Sequence, residues 1–278
     1  MNDSKLLRIT TVCMLLIAMP VWMTGCATQP PDGGEAPEIP PASTFVIDFG
    51  DFSGGDAARP APDPTAGQTL PGADWGFAAF NVGVWSVIIT VGLAVPVAAF
   101  LESFNHVPEQ QEDGSWVWSY EVTVGGVVHS AELHAMAVGG DIEWNMYISK
   151  EGFYENFNWF SGVSNLVSTE GTWTLNKEPD DPTPFVGIEW HRNPQDETGD
   201  IKYTNIVPGG PENGGYIFHG LTVDPLDAFF EIYNRGQDNT TNIEWSRTTK
   251  NGRVRDSARF GDEDWHCWDE TLQNIACQ

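Results

Sequence analysis

From Trp116 onward, apolar and polar residues alternate. In WVWSYEVTV, Trp116, Trp118, Tyr120, Val122 and Val124 share one face, the period of a half-buried strand. Gly125-Gly126 then supplies a hairpin turn before VVHSAELHAMA. The tripeptide Ile-Glu-Trp occurs three times, as Ile142-Glu143-Trp144, Ile188-Glu189-Trp190 and Ile243-Glu244-Trp245. Each copy puts Ile and Trp on one face and Glu on the other. Their spacing is too uneven for a repeat array, so they mark recurring half-buried strands. Further strands are expected at 171–175, 200–207, 216–221, 228–233 and 252–255. Turns at Gly139-Gly140, Gly209-Gly210 and Asn213-Gly214-Gly215 separate several of them. TFVIDFGDF, Thr44 to Phe52, reads as a first short strand, and the Gly- and Pro-rich stretch 53–71 as a loop.

One segment breaks this period. WGFAAFNVGVWSVIITVGLAVPVAAFL, Trp75 to Leu101, contains no charged residue. Asp74 is placed to cap a helix there, and Pro96 to end or kink it. Ala79, Gly83, Ser86, Thr90 and Ala94 form a stripe of small residues suited to close packing. Phe80, Val84, Val87, Val91 and Val95 form a bulky stripe on another face. A helix apolar all round belongs inside protein or inside lipid, and this run is long enough to span a bilayer. Its flanks decide the expectation. Asp74, Glu102, Glu109, Glu112 and Asp113 surround it, and no Lys or Arg lies near after Arg59, so the cationic cluster of a cytoplasmic side is missing. A core helix is therefore expected. One-faced strands need something to cover their apolar side. The expected fold is mainly β: a large curved antiparallel meander of about ten strands packed around one long apolar helix at about 75–103. A two-sheet sandwich with the helix at one edge is the alternative.

The N-terminus carries a different signal. Lys5 and Arg8 precede an apolar stretch from Ile9 to Trp22, and Met23-Thr24-Gly25-Cys26 follows. This order resembles a bacterial lipoprotein signal ending in a lipobox, with Met23 where Leu is usual. The resemblance implies that residues 1–25 are removed and that Cys26 is acylated, which anchors the chain without a transmembrane helix. Ala27, rather than Asp, follows the cysteine, which in Gram-negative lipoproteins implies the outer membrane. A stop-transfer helix would conflict with that destination. Residues 26–43, with Pro30, Pro31, Pro37, Pro40 and Pro41, are expected to be a lipid-anchored tether. Residues 44–278 are expected to form a single β-rich domain.

Charge narrows the partners. The chain has 13 Lys and Arg against 39 Asp and Glu, a net charge of −26. Only Lys5, Arg8 and Asp3 precede Cys26, so the processed chain carries −27. Nucleic acid is excluded as a partner because phosphate needs the opposite sign. Direct adhesion to anionic lipid is disfavoured for the same reason. Of four cysteines, Cys13 falls in the signal and Cys26 is the lipid site. Cys267 and Cys277 remain and are expected to pair in an oxidising compartment, stabilising the C-terminus by about 3 kcal/mol.

Chemistry is sparse. FGDEDWHCWDE, Phe260 to Glu270, contains Asp262, Asp264, His266 and Asp269, which could supply ligands to a metal ion. Their spacing fits no EF-hand loop, and Arg253, Arg255 and Arg259 upstream are available as ion-pair partners. A stapled segment held by charge pairs is the simpler expectation. His129 and His134 differ in strand parity and face opposite sides; Glu189 and His191 share the solvent side. No GxSxG, HExxH or phosphate-binding Gly loop occurs, so no catalytic residue and no cofactor are assigned. The expected function is an outer-membrane-anchored structural or interaction module that meets the membrane through its lipid and a protein partner through its surface. One alternative is a periplasmic carrier of a lipid or other apolar ligand, since the proposed sheet resembles the half-barrel of lipoprotein carriers in architecture. A sugar-binding domain is another, and it requires a row of exposed rings among the 12 Trp residues.

Overall fold

Among the described residues, fourteen antiparallel strands pair in chain order, each with the next, into one open sheet. The computed structural model describes residues 34–53 and 72–277; the signal segment, Cys26, the first part of the expected tether (26–33) and most of the expected loop (54–71) lie outside them. The strands are β1 (Glu109–Gln110), β2 (Trp116–Val124), β3 (Val127–Val138), β4 (Asp141–Lys150), β5 (Tyr154–Asn165), β6 (Glu170–Glu178) and β7 (Asp181–Asn193). They continue as β8 (Thr198–Asn205), β9 (Tyr216–Leu221), β10 (Ala228–Asn234), β11 (Asn239–Trp245), β12 (Gly252–Arg255), β13 (His266–Trp268) and β14 (Asn274–Ile275). The helices are α1 (Gly50–Ser53), α2 (Ala73–Gly92), α3 (Ala94–Ser103) and α4 (Ser257–Phe260). The fold is thus mainly β, an open antiparallel meander wrapped around the long apolar helix α2.

The alternation read from the sequence is the alternation of burial. Ile142, Trp144, Ile188, Trp190, Ile243 and Trp245 are all buried on the inner face of the sheet, while Glu143 and Glu189 are exposed. Each large indole needs room, and small residues opposite it provide that room. Gly162 lies between Trp144 and Trp173 in register, Gly171 faces Trp190, and Gly252 lies between Trp245 and Trp268. A Cβ on Gly162 would sit 2.2 Å from the Trp173 ring, and one on Gly171 2.5 Å from the Trp190 ring. An indole folded over a cross-strand glycine fills the gap that the missing side chain leaves.

The concave face is covered by a segment expected to be a strand. Residues 44–52 form no ladder. A 3₁₀ turn at Ala42–Thr44 leads into extended chain and then α1. The alternation is real, with Phe45, Ile47 and Phe49 buried and Asp48 exposed. Its carbonyls, however, are held by side chains: the Trp173 indole N–H donates to Thr44 O at 3.1 Å, and the Tyr203 hydroxyl donates to Phe45 O. Phe45 stacks on Phe100 at 4.5 Å and packs on Phe160 and Trp173; Phe49 stacks on Phe230; Phe52 meets Trp245 edge-on at 4.9 Å. The segment therefore crosses the sheet from β5 to β11. Packing begins earlier still, since Ala36 and Ile39 lie against the core and Pro40 is buried, ahead of the boundary expected at 44.

The helical run is two helices. Pro96 has no N–H and its ring crowds the carbonyl four residues back, which is that of Gly92. The helix accordingly breaks at Leu93 (φ −113°, ψ 18°), and Pro96 sits in the first turn of α3, where no intrahelical N–H is needed. The start also differs from expectation: the cap position is Gly72, and Asp74 lies inside the first turn.

Phe45 and Tyr203 make this arrangement testable. Phe45→Ala is expected to cost about 3–5 kcal/mol of unfolding free energy. Tyr203→Phe, which leaves the Phe45 carbonyl buried without its donor, is expected to cost about 1–3 kcal/mol. Urea unfolding measures both; changes within about 0.5 kcal/mol would mean that the segment does not clasp the sheet.

Candidate functional site

α2 is seated by a narrow strip. Ala78, Val82 and Ile89 are buried, and Trp75, Phe77 and Trp85 lie partly against the core. Neither stripe read from the sequence is that seat as a whole, although Ala79 of the one and Val95 of the other lie partly against the core. The small-residue stripe makes no close approach at Gly83, where an added Cβ would meet nothing within 4 Å. The four members of the bulky stripe on α2 face outward: Phe80 is 62% exposed, Val84 44%, Val87 63% and Val91 73%, with Ile88 beside them at 43%. The expectation of a helix buried on all sides is therefore corrected. The sheet and the 44–52 segment already fill the core, so only one side of α2 finds protein to cover it.

The N-terminal end of α2 is fixed by the C-terminal segment. Gly72 N–H donates to Leu272 O at 2.7 Å, and Asp74 N–H donates to Asn274 Oδ1 at 3.2 Å. A Cβ on Gly72 would lie 2.1 Å from Asn274 Oδ1, so only glycine allows the approach. Phe77 packs edge-on against Phe260 at 5.6 Å. Cys267 and Cys277 are bonded at 2.05 Å and tie β13 to the chain just after β14. The staple thus holds the platform on which α2 begins. Asn274 and Leu272 carry no signal in the sequence, because their role depends on a contact some 200 residues away.

The four residues weighed as metal ligands do not converge. His266 Nε2 lies 3.1 Å from Asp262 Oδ1, and the His266 ring stacks on Phe260 at 3.7 Å. The hydrogen bond from His266, with a backbone N–H from Asp264, lowers the Asp262 carboxyl below its ordinary range. Asp269 instead closes a turn, accepting from Thr271 and Gln273. Among the described residues no group of three or more His, Cys, Asp or Glu side chains could hold a metal ion. The arginines expected to pair with these acids lie elsewhere: Arg253 binds Glu244 at 2.5 Å and covers the Trp265 ring with Arg255, while Arg259 lies over Phe77.

The histidines separate as parity requires. His129 is buried on the inner face and His134 points outward, 3.3 Å from Glu132. His191 turns away from Glu189 to its cross-strand neighbour Asp200, at 2.9 Å, on the rim of an open cleft of about 310 Å³ that also includes Arg192 and Thr222. His219, which the sequence reading passed over, is inward on β9 and stacks near Trp245; its parity with Ile217 is the signal that would have placed it. A second open cleft, of about 530 Å³, lies between residues 36–42, the end of α3 and Trp118. Of the described Trp residues none is exposed, so they form no row of rings for a sugar to stack on.

Asp74 is the one acid on α2, and it is buried. Burial raises its carboxyl above the ordinary carboxylate range, against the opposing pull of His266, the Asn274 hydrogen bond and Arg259. Comparison with protein-family models, with characterised proteins and with solved structures returns no match to this chain. The surface must therefore be interpreted from its own chemistry.

The Asp74 shift has a sign. A carboxyl raised in the fold is accommodated best when protonated, so that contribution is present at low pH and lost as pH rises through the folded value. Asp74→Asn is expected to raise the urea midpoint at neutral pH, and the gain should vanish as pH falls below the ordinary carboxylate value. An equal midpoint difference at every pH would rule out burial of the charge as its cause.

Proposed function

We propose that the protein is a lipid-anchored interaction module of the bacterial outer membrane, whose working surface is the uncovered face of α2. The observation that carries this reading is the row Phe80, Val84, Val87 and Val91, exposed on a helix that has no charged residue after Asp74 in its first turn. Isolated exposed apolar residues are ordinary, but a contiguous apolar strip on a rigid helix marks a contact surface. The lipobox-like Met23-Thr24-Gly25-Cys26 supports anchoring, and the net negative charge argues against nucleic acid.

A carrier needs space between helix and sheet. Phe45, Phe100, Phe160 and Trp173 meet there in mutual ring contact, which supports a filled interior. The interaction reading therefore takes precedence over the carrier reading.

Mass spectrometry under native and denaturing conditions tests both parts. The mature chain from a periplasm is expected to begin at acylated Cys26 and to carry no further lipid once detergent is removed. Cys26→Ser is expected to lose the acyl mass and the partition into the membrane fraction. A wild-type chain without acylation would overturn the anchor. An extractable lipid bound to the chain from Ala27 onward would overturn the module in favour of a carrier.

A further inference from the structure

The uncovered strip on α2 needs an occupant, and its size limits the choice. Five aliphatic and aromatic side chains exposed to this degree present on the order of 500 Å², below the roughly 800 Å² per partner of a stable protein pair. A protein interface also has a polar rim, whereas the stretch from Trp75 to Leu101 has no charged residue. A bilayer requires neither a matched surface nor a rim.

The chain places that bilayer close by. Only eight residues separate Cys26 from Glu35, where the compact unit begins, a reach of at most about 30 Å. Ala36, Ile39 and Ala42 line one open cleft with Ser103 and Phe104 at the end of α3 and Trp118 of β2, so the chain enters the fold beside the C-terminal end of α3. The opposite, convex side of the sheet exposes Glu121, Glu132, Glu143 and Glu189, which anionic headgroups would repel.

From this we infer that the outer face of α2 lies shallowly in the bilayer that holds the lipid anchor. The proposal rests on the lipid-anchor reading of Cys26. α2 does not span. Ala78, Val82 and Ile89 hold its inner face on the core, and Leu272 and Asn274 hold its first turn. Contact therefore reaches only the depth of one helical face, as for interfacial helices, with the protein itself taking the place of their polar side. With a net charge of −27 on the processed chain, contact should be strongest on zwitterionic surfaces.

The test uses a nitroxide on Val87→Cys in the acylated chain, with Glu121→Cys on the convex side as the control. Both are read by collision with oxygen and with a water-soluble nickel chelate on phosphatidylcholine–phosphatidylethanolamine vesicles. A second arm uses residues 27–278 without the lipid, at high vesicle concentration. The expected result is a severalfold rise in oxygen over nickel accessibility at 87 in both arms, and none at 121. Val84→Glu with Val91→Glu, both at exposed positions, is expected to abolish the rise. A label at 87 that stays open to the nickel chelate on vesicle-bound acylated protein overturns the proposal while leaving the anchor intact. A label shielded from both reagents overturns it in favour of a protein contact. If the mature chain proves unacylated, the anchor reading falls, and the second arm alone confirms or overturns bilayer contact by α2.

Discussion

The segment that covers the concave side of the sheet is held there by two buried hydrogen bonds, from Trp173 to Thr44 O and from Tyr203 to Phe45 O. A meander of fourteen strands has an apolar inner face too broad for one helix, and it is open, so no barrel closure hides that face. An extended segment can cross many strands at once, but its carbonyls would then be buried without the ladder partners that a strand would have. Two long aromatic side chains with polar tips resolve this: each contributes a ring to the core and a donor to the segment. Burial raises the Tyr203 hydroxyl above its ordinary range, which keeps it protonated as a donor.

The rings on the sheet obey a second constraint. Trp144, Trp173, Trp190, Trp245 and Trp268 are all fully buried, and adjacent strands cannot carry bulk at every paired position. Glycine at the cross-strand partner lets one indole occupy the volume of two side chains. Glycine weakens a strand in isolation; beneath an indole it is what allows the neighbouring strands to approach.

This explains which parts of the chain were legible in the sequence. Period-two segments such as Trp116–Val124 and the Ile-Glu-Trp triplets announce their inner face because burial and parity coincide there. β5 was not legible: a register shift between Met146 and Tyr147 lets Trp159 and Phe160 be buried in succession, which erases the alternation. Residues 44–52 were misread for the opposite reason. Their alternation is present, but pattern reports which side chains go inward and not where the backbone hydrogen bonds go. The disulfide was legible from an even pair of cysteines, whereas the contacts of Gly72 with Leu272 and Asn274 join residues too distant for any local pattern.

For α2 the limit is sharper. A helix apolar on every side contains no asymmetry from which a seating face can be read, and the stripe of small residues that looked suited to close packing is not the seat. The seat is decided by geometry at both ends: the C-terminal segment fixes the first turn, and Pro96 breaks the run so that α3 can descend onto β2, where the Tyr120 hydroxyl donates to Ala99 O at 2.6 Å. Between these two fixed points α2 has no freedom to roll its outer residues inward. Their exposure is thus imposed by the fold and does not reflect loose packing, which is why the apolar strip is a surface the protein presents rather than a core it failed to close.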